Sequence, residues 1–131
     1  NTEAIKWYKK AVAQEYKDSY LPLARLLYDG SDSAEYPEAF RLFKLLAEDE
    51  NAEAQYKLGM MYFDGKGTSQ NTDLAFKWIL KSAESDYLDA LHKIAYMYEY
   101  GYGTEVDTVK AREYNDRAEE LEYDWLNWFW F

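Results

Sequence analysis

Few residues of this 131-residue chain have the chemistry of an active site. His92 is the sole histidine, and no serine in a nucleophile-elbow setting accompanies it, so we predict neither a catalytic triad nor a His-rich metal site. The absence of cysteine excludes a zinc-thiolate site, a cysteine nucleophile and a disulfide framework. We therefore expect no cofactor, no metal ion and no enzymatic activity.

The turn Gly65-Lys66-Gly67-Thr68 contains the residue types of a phosphate-binding loop. Such a loop needs a preceding strand and a longer glycine–lysine spacing, and the sequence has neither. Helix termination explains these glycines better, because glycine adopts left-handed backbone angles at little cost. Paired carboxylates leave a hydrolase open as an alternative, testable at Glu99, although an open helical array rarely offers the walled cleft that this chemistry needs.

The charge balance indicates which partners to expect. Twenty-five acidic residues oppose fifteen basic ones, giving a net charge of −10. This argues against nucleic acid as a partner, since binding to phosphates rests on cationic residues. It also disfavours an anionic membrane surface, so we expect membrane contact only through a partner. The acidity either keeps the protein soluble or steers a basic partner towards it.

The sequence does not indicate a cellular compartment. It contains no signal peptide and no apolar run long enough to span a membrane. It begins at Asn1 without a methionine, and its first helix matches the second half of a repeat. We therefore expect the chain to be an excised piece of a longer protein and predict no localisation.

An internal repeat supplies the elements that must position any site. The stretch from Ala54 to Glu84 recurs from Ala90 to Glu120 at a shift of 36 positions. Coinciding pairs include Gly65 with Gly101, Gly67 with Gly103, Thr68 with Thr104, Ala75 with Ala111 and Trp78 with Tyr114. Self-similarity at a fixed period of this size is typical of a repeat array.

Each repeat is predicted to be a helix, a short glycine turn and a second helix. Apolar residues recur at helical spacing before the turn, as in Leu58 and Met61, and again after it, as in Ala75, Trp78 and Ile79. Neither helix can bury its apolar stripe alone. Stability should therefore come from the packing of neighbouring repeats.

The repeated anchors resemble a known family. They read Ala-x-x-x-Leu-Gly-x-x-Tyr-x-x-Gly-x-Gly-Thr, then Asp-x-x-x-x-Trp and Lys-x-Ala-Glu. They are carried by Ala54, Leu58, Gly59, Tyr62, Gly65, Gly67, Thr68, Asp73, Trp78, Lys81, Ala83 and Glu84. This pattern resembles the Sel1-like repeat, a relative of the tetratricopeptide repeat. The resemblance implies an all-α fold, a right-handed α-solenoid of stacked helix-turn-helix repeats, that binds other proteins.

The register divides the chain into five segments. They are residues 1–17 (second helix of a partial repeat), 18–50 (a divergent repeat), 51–86 and 87–122 (two strong repeats), and 123–131 (the start of a further repeat or a capping helix). The divergent repeat lacks the second glycine and the threonine, so we predict a longer or differently shaped turn after Gly30. Asn71 or Thr72, and Asp107 or Thr108, are predicted to cap the helices that follow the glycine turns.

The last segment reads YDWLNWFWF. Solenoids usually end in a polar-faced cap, whereas this segment is apolar. It therefore needs a surface that covers it. Our leading interpretation is a capping helix that folds over the last repeat. The alternatives are an exposed hydrophobic docking strip and self-association through Tyr123–Phe131.

The tetratricopeptide resemblance implies a partner-binding surface on the concave face, lined by the first helix of each repeat. The predicted positions are Asp18, Leu21, Arg25 and Tyr28 in the divergent repeat; Glu53, Tyr56, Met60 and Phe63 in the next; Asp89, His92, Tyr96 and Glu99 in the last; and Trp125 and Trp128 in the final segment. This set is aromatic with an acidic fringe, which suits a peptide or helix with apolar anchors and Lys or Arg between them. Packing between repeats is the competing explanation for its tyrosines.

We therefore predict a protein–protein interaction scaffold or adaptor that holds a peptide or helix of a partner protein. An immunity or inhibitor protein that blocks a partner enzyme is an alternative from another class. It would show tight one-to-one binding with loss of the partner's activity. A hydrolase is the third, and it would show turnover that one groove carboxylate supports.

Overall fold

The computed structural model describes residues 2–130, and every regular element within that range is a helix. The α-helices are α1 (Thr2–Ala13), α2 (Tyr20–Asp29), α3 (Tyr36–Glu48), α4 (Ala52–Asp64), α5 (Thr72–Glu84), α6 (Leu88–Tyr100) and α7 (Thr108–Trp130). Each packs mainly against the helices before and after it in the chain. This arrangement confirms the predicted all-α repeat solenoid. Asn1 and Phe131, at the outer ends of the first and last predicted segments, lie outside the described residues.

The core is continuous along the stack. One buried cluster joins α1 to α4 around Leu27, Phe43 and Leu58, and a second joins α4 to α7 around Ile79 and Ile94. Tyr62 packs against both clusters. The apolar side chains that recur at helical spacing therefore form one core only because the repeats stack, as expected of a solenoid.

The two glycine turns have the same backbone design. Gly65 and Gly101 end α4 and α6 in the left-handed region, at φ 71° and φ 74°. The second glycine of each turn, Gly67 or Gly103, is also left-handed and lies against the preceding repeat. A Cβ atom added to Gly67 would come within 2.5 Å of the Tyr36 carbonyl oxygen. Glycine is therefore needed here both for its backbone angles and for its lack of a side chain.

Asparagine and aspartate caps complete the glycine turns. The Asn71 side chain accepts a hydrogen bond from the Leu74 N–H at 3.0 Å, and Asp107 accepts one from the Lys110 N–H at 3.0 Å. Both capping residues also donate their own N–H back to the previous helix, Asn71 to the Tyr62 carbonyl at 2.8 Å. The caps thus hold the two helices of a repeat together as well as starting the second one.

The divergent turn is built differently. Gly30 is extended, at φ −71° and ψ 161°, so it does not use glycine's special angles. A short 3₁₀ helix, Ser33–Glu35, fills the connection, and Asp32 caps it by accepting from the Ala34 N–H at 3.0 Å. The local side-chain cap replaces the missing second glycine.

The turns between repeats place non-glycine residues in the left-handed region. Glu15, Glu50 and Asp86 have φ values of 59°, 67° and 62°, and they follow α1, α3 and α5 at matching positions. The Asp86 N–H donates to the Ala83 carbonyl at 2.9 Å, and the Glu50 N–H to that of Ala47 at 3.1 Å. These hydrogen bonds satisfy carbonyls left open at the helix ends and offset the cost of the unusual angles.

The final segment continues α7 without a break. α7 has 23 residues, compared with 13 in α5, so Tyr123 to Trp130 prolong the second helix of the last repeat. They neither begin a separate helix nor fold back over the repeat, which corrects both predicted alternatives for 123–131. Helical geometry persists because the segment contains neither glycine nor proline after Gly103. None of the helices in residues 2–130 is long and apolar enough to cross a membrane.

Candidate functional site

The first helices α2, α4 and α6 form one contiguous surface, which we call the groove surface. Arg25 of α2 donates two hydrogen bonds to Glu53 of α4, from Nε at 2.7 Å and from Nη2 at 2.5 Å. This fork lowers the pKa of the Glu53 carboxyl, chiefly because Arg25 donates to its ionised form. Glu53, predicted as a partner contact, is therefore already paired within the protein.

A lysine–aromatic contact repeats along the groove surface. The Nζ of Lys57 lies 4.6 Å from the ring centre of Tyr28, and the Nζ of Lys93 lies 3.9 Å from that of Phe63. Each lysine sits on a first helix and covers an aromatic side chain of the repeat before it. Such cation–π contacts stabilise by about 0.5–1 kcal/mol at exposed sites. The groove surface is thus built from cations as well as the predicted rings and carboxylates.

Several of the predicted groove residues are also packing residues, Leu21 and Tyr28 against the first core cluster among them. Tyr56, Met60 and Phe63 are half-buried and pack against the second core cluster. The Tyr56 ring lies 5.6 Å from that of Tyr87, at the start of α6. These residues therefore join neighbouring repeats while keeping part of their surface open.

The end of α6 carries an exposed tyrosine cluster. Tyr96 lies 4.9 Å from Tyr100 and 5.5 Å from Tyr102, ring centre to ring centre, and it is stacked on Tyr102 at 12°. These three side chains are 41%, 58% and 40% exposed. Tyr102 in turn makes an edge contact with Phe63 at 5.6 Å, and Lys93 lies between Phe63 and Tyr96. The cluster offers partly exposed rings that pack against one another, and we call Tyr96, Tyr100 and Tyr102 the tyrosine cluster.

The acidic and histidine positions of α6 are exposed to solvent. Asp89 and Glu99 are exposed. The Nε2 of His92 lies 2.9 Å from Oε1 of Glu122 on α7, so the imidazole bridges the two helices of its own repeat. Within residues 2–130, no three His, Asp or Glu side chains gather in an arrangement that would hold a metal ion.

The two predicted tail residues lie elsewhere. Trp125 and Trp128 belong to the extension of α7, a second helix, and are 60% and 80% exposed. The prediction that they continue the row of first helices is wrong, because the chain does not turn between Leu121 and Trp125. They form a surface of their own.

Burial and neighbouring charge shift the pKa values of several groups of the groove surface. Burial raises the pKa of the Tyr28 hydroxyl to about 12, and the nearby Asp64 carboxylate adds to the rise. Burial likewise raises the pKa of Tyr56 and lowers that of Lys93. These tyrosines therefore stay neutral hydrogen-bond donors at physiological pH.

The sequence contained an unused signal for the lysines. Lys57 and Lys93 coincide at the repeat shift of 36, and so do the rings beneath them, Tyr28 and Phe63, at the shift of 35. Recurrence of a cation four positions after the acidic Glu53 or Asp89 would have pointed to a position facing the groove. Lys66, which lies 4.8 Å from the Tyr28 ring centre, has no such recurrence and follows only from the structure.

The fold and this surface define an all-α helical repeat protein with an open, aromatic first-helix face. The model of the Sel1 repeat matches residues 1–16, 20–51, 52–87 and 88–122, so the chain belongs to the Sel1 repeat family. Sel1 repeat proteins generally mediate protein–protein interactions, and the family is typically non-catalytic.

The chain resembles several members of this class. It is 34% identical over 91 residues to a putative sel1-like repeat-containing protein of Acanthamoeba polyphaga mimivirus, a match over 63% of this chain that spans only 15% of that protein. The crystal structure of c5321, a protective antigen of uropathogenic Escherichia coli with this fold, gives a TM-score of 0.82 at 29% identity, over 90% of this chain and 25% of that one. A Sel1 repeat protein from Oxalobacter formigenes gives 0.77 at 26%, over 87% and 33%.

A further structure shows likeness of fold alone. Cysteine rich protein B of Helicobacter pylori gives a TM-score of 0.68 at 20% identity, over 92% of this chain and 86% of that one. The present chain has no cysteine, so its repeats hold together by packing without disulfides.

Proposed function

We propose that this chain is a binding module that holds a peptide or helix of a partner protein on the groove surface. The observation that carries the proposal is the tyrosine cluster. Three tyrosines that the core does not need are ordered against one another and remain accessible. Rings fixed in this way provide contact area without the entropic cost of ordering flexible side chains on binding.

The charges of the groove surface favour a particular ligand. Asp64, Asp89 and Glu99 are exposed, whereas Glu53 is paired with Arg25 and Lys93 rests on Phe63 and Tyr96. The cations are thus engaged with rings or carboxylates, and three carboxylates remain open to a ligand. An extended or helical peptide with apolar anchors and Lys or Arg between them complements this pattern.

The test begins with peptides selected from a random library on the full chain. The affinity of the best binder is then compared between the native chain and Tyr96→Ala. We expect at least a tenfold loss, since an aromatic side chain at the centre of an interface contributes about 2 kcal/mol or more to binding. The matched control is Tyr16→Ala, which removes a tyrosine that is 62% exposed but lies outside the groove surface.

Thermal unfolding of both variants separates binding from packing. Because Tyr96 is exposed but packs on Tyr100 and Tyr102, its loss should lower the free energy of unfolding by only about 0.5–1.5 kcal/mol. Equal affinities of the native chain and Tyr96→Ala for the selected peptide would refute the proposal. So would a loss of affinity in Tyr16→Ala as large as that in Tyr96→Ala.

A further inference from the structure

Two buried polar side chains lie at the same end of neighbouring helices. Gln55, near the start of α4, is 2% exposed, and Ser82, near the end of α5, is fully buried. The Ser82 hydroxyl donates to the Ala52 carbonyl of α4 at 2.6 Å, and Nε2 of Gln55 donates to the Ala47 carbonyl of α3 at 3.3 Å. Gln55 and Ser82 thus join three helices, and we call these two side chains the polar seam.

The matching positions of the other repeats are apolar or aromatic. The next repeat has Leu91 and Ala118, both fully buried in the second core cluster. The preceding repeat has Tyr20 and Leu46, which pack against the first core cluster. The middle repeat therefore departs from its neighbours by holding polar side chains that are buried at both positions.

The side-chain amide of Gln55 is only partly satisfied. No group within residues 2–130 donates a hydrogen bond to its buried Oε1. A buried acceptor without a donor raises the free energy of the closed state, because it has lost its hydration without a replacement. Opening the seam to water restores that hydrogen bond, whereas Leu91 in the next repeat only loses burial. Separation of the helices therefore costs less at the polar seam than at the matching place in the next repeat.

The polar seam also lies where one core cluster gives way to the other. The fully buried apolar residues of α4 belong to the first cluster and those of α5 to the second. Tyr62, which packs against both clusters, lies at the other end of α4, beside the glycine turn. Glu53, which Arg25 holds on the groove side, is about 200° around α4 from Gln55. Opening at the seam therefore leaves these two other contacts in place.

We propose that the polar seam is a hinge of the solenoid. Its opening admits water to Gln55 and Ser82 and lets α1–α3 change their angle to α5–α7. This motion alters the curvature of the groove surface, since α2 and α6 lie on opposite sides of the hinge. The hinge does not depend on the proposed function, because its evidence is the packing of α3, α4 and α5.

Native-state hydrogen exchange compares two matched amides. The Gln55 N–H donates to the Asn51 carbonyl at 2.9 Å, and the Leu91 N–H donates to the Tyr87 carbonyl at 3.0 Å. We expect the protection factor of the Gln55 amide to be about tenfold lower. Helix capping would produce the opposite difference, because the Asn51 side chain caps α4 and the Tyr87 side chain makes no such bond to α6.

Three variants locate the cause. Gln55→Leu with Ser82→Ala introduces the residue types of the next repeat and should raise the protection factor of the residue 55 amide about tenfold. Gln55→Met removes the amide but keeps an unbranched side chain, and it should shift protection in the same direction. The Ala47 carbonyl keeps the Glu50 N–H as a donor at 3.1 Å in these variants. The matched control, Gln14→Met, changes an exposed glutamine after α1 and should leave protection at residue 55 unchanged.

Spin labels report whether the opening bends the array. The chain has no cysteine, so Lys44→Cys on α3 with Arg112→Cys on α7 places one nitroxide on each side of the hinge. Lys77→Cys on α5 with Arg112→Cys places both nitroxides on one side. All three residues are exposed. When Gln55→Leu and Ser82→Ala are added, the distance distribution of the first pair should narrow and that of the second should stay the same.

Several outcomes would overturn the hinge. Equal protection factors of the Gln55 and Leu91 amides would mean that the seam opens no more easily than its counterpart. An equal rise in protection at every amide in Gln55→Leu with Ser82→Ala would mean that the seam opens only when the whole chain unfolds. An unchanged distance distribution for the first label pair would mean that the opening does not bend the array.

Discussion

The glycine turns and the divergent turn both connect the two helices of a repeat, but they differ in how much their backbone contacts the preceding repeat. In the turn after α4, Gly67 brings the chain against the Tyr36 carbonyl of the previous repeat, and in the turn after α6, Gly103 does the same at Thr72. The divergent turn substitutes a 3₁₀ helix capped by Asp32. Its cap is local, and its link to the preceding repeat is an exposed ion pair between Lys9 and Glu35 at 3.0 Å. The glycine turns instead contact the preceding repeat through their backbone.

The consequence is a difference in coupling along the array. A change within a glycine turn should disturb two repeats, because the contact belongs to both. A change to the Asp32 cap of the divergent turn should disturb one, because its hydrogen bond to the Ala34 N–H is local. Repeat arrays gain cooperativity from such interfaces, so the glycine turns should contribute most to unfolding as one unit.

The largest effect is expected from Gly67→Ala. The added methyl group would have to fit 2.5 Å from the Tyr36 carbonyl oxygen, at a φ of 70° that alanine disfavours. Left-handed strain of about 1–2 kcal/mol and overpacking of about 1–3 kcal/mol together predict a loss of about 3 kcal/mol in the free energy of unfolding. Urea denaturation followed by circular dichroism measures it.

The same substitution at two other glycines sharpens the comparison. Gly65→Ala keeps the strain at φ 71° but meets no atom closer than 3.4 Å, so the loss should be about 1–2 kcal/mol. Gly30→Ala, at φ −71°, should cost less than about 1 kcal/mol. If Gly30→Ala proved as damaging as Gly67→Ala, the distinction between the turns would be wrong.

An intermediate effect is expected from the caps. Asn71→Ala removes the acceptor for the Leu74 N–H at the start of α5 and should cost about 1 kcal/mol. Asp32→Ala removes the equivalent bond from a 3₁₀ helix of only three residues and should cost less than about half of that. The midpoints of urea denaturation, compared at equal slope of the transition, show which variant loses more stability. A larger cost for Asp32→Ala would show that the divergent turn depends on its cap more than the glycine turns do.

A small effect is also expected from the ion pair that links the divergent repeat to the next one. The lowered pKa of Glu53 means that its contribution to stability is present above its ordinary value of 4.5 and is lost as the pH falls through the lower folded value. Because both partners are partly exposed, Glu53→Gln should cost only about 0.5–1 kcal/mol at pH 7, and the difference from the native chain should vanish in acid.

Glu38→Gln provides the matched control for that pair. Glu38 accepts from Arg41 three residues away on α3, and its pKa is likewise lowered, chiefly by that hydrogen bond. Loss of the Glu38–Arg41 pair should lower stability with the same pH dependence, but it should destabilise α3 alone. Hydrogen exchange at α2 and α4 distinguishes the two cases, because only Glu53→Gln should increase exchange in both. Unchanged exchange at α2 would mean that the pair does not couple the repeats.

Most of the fold was predictable because repetition makes local signals redundant. The recurrence of Gly65 and Gly67 as Gly101 and Gly103 identified both turns, and the all-α solenoid is confirmed. Asn71 and Asp107 were correctly among the predicted caps, since a side-chain oxygen at a helix start acts within three residues. The altered shape of the turn after Gly30 also followed, because the residues that define the usual turn were missing.

The candidate site was only partly predictable. The positions of Tyr56, Phe63 and Tyr96 follow from the register, but their contacts with Tyr87, Lys93 and Tyr102 depend on how adjacent repeats are rotated. The final segment was misread because an aromatic run of that length has no repeat of its own to compare with. Whether it turned back or continued was not encoded in its periodicity.

The sequence by itself determined the period, the ends of the helices at the glycine turns and the left-handed glycine positions, because those depend on steric limits and hydrogen bonds within a few residues. The tertiary structure alone decided which tyrosines are buried and that Glu53 is paired with Arg25. It also decided that the tryptophans of α7 lie away from the groove surface. Those outcomes depend on distances between helices, which stacking sets and which the residues of one repeat do not specify.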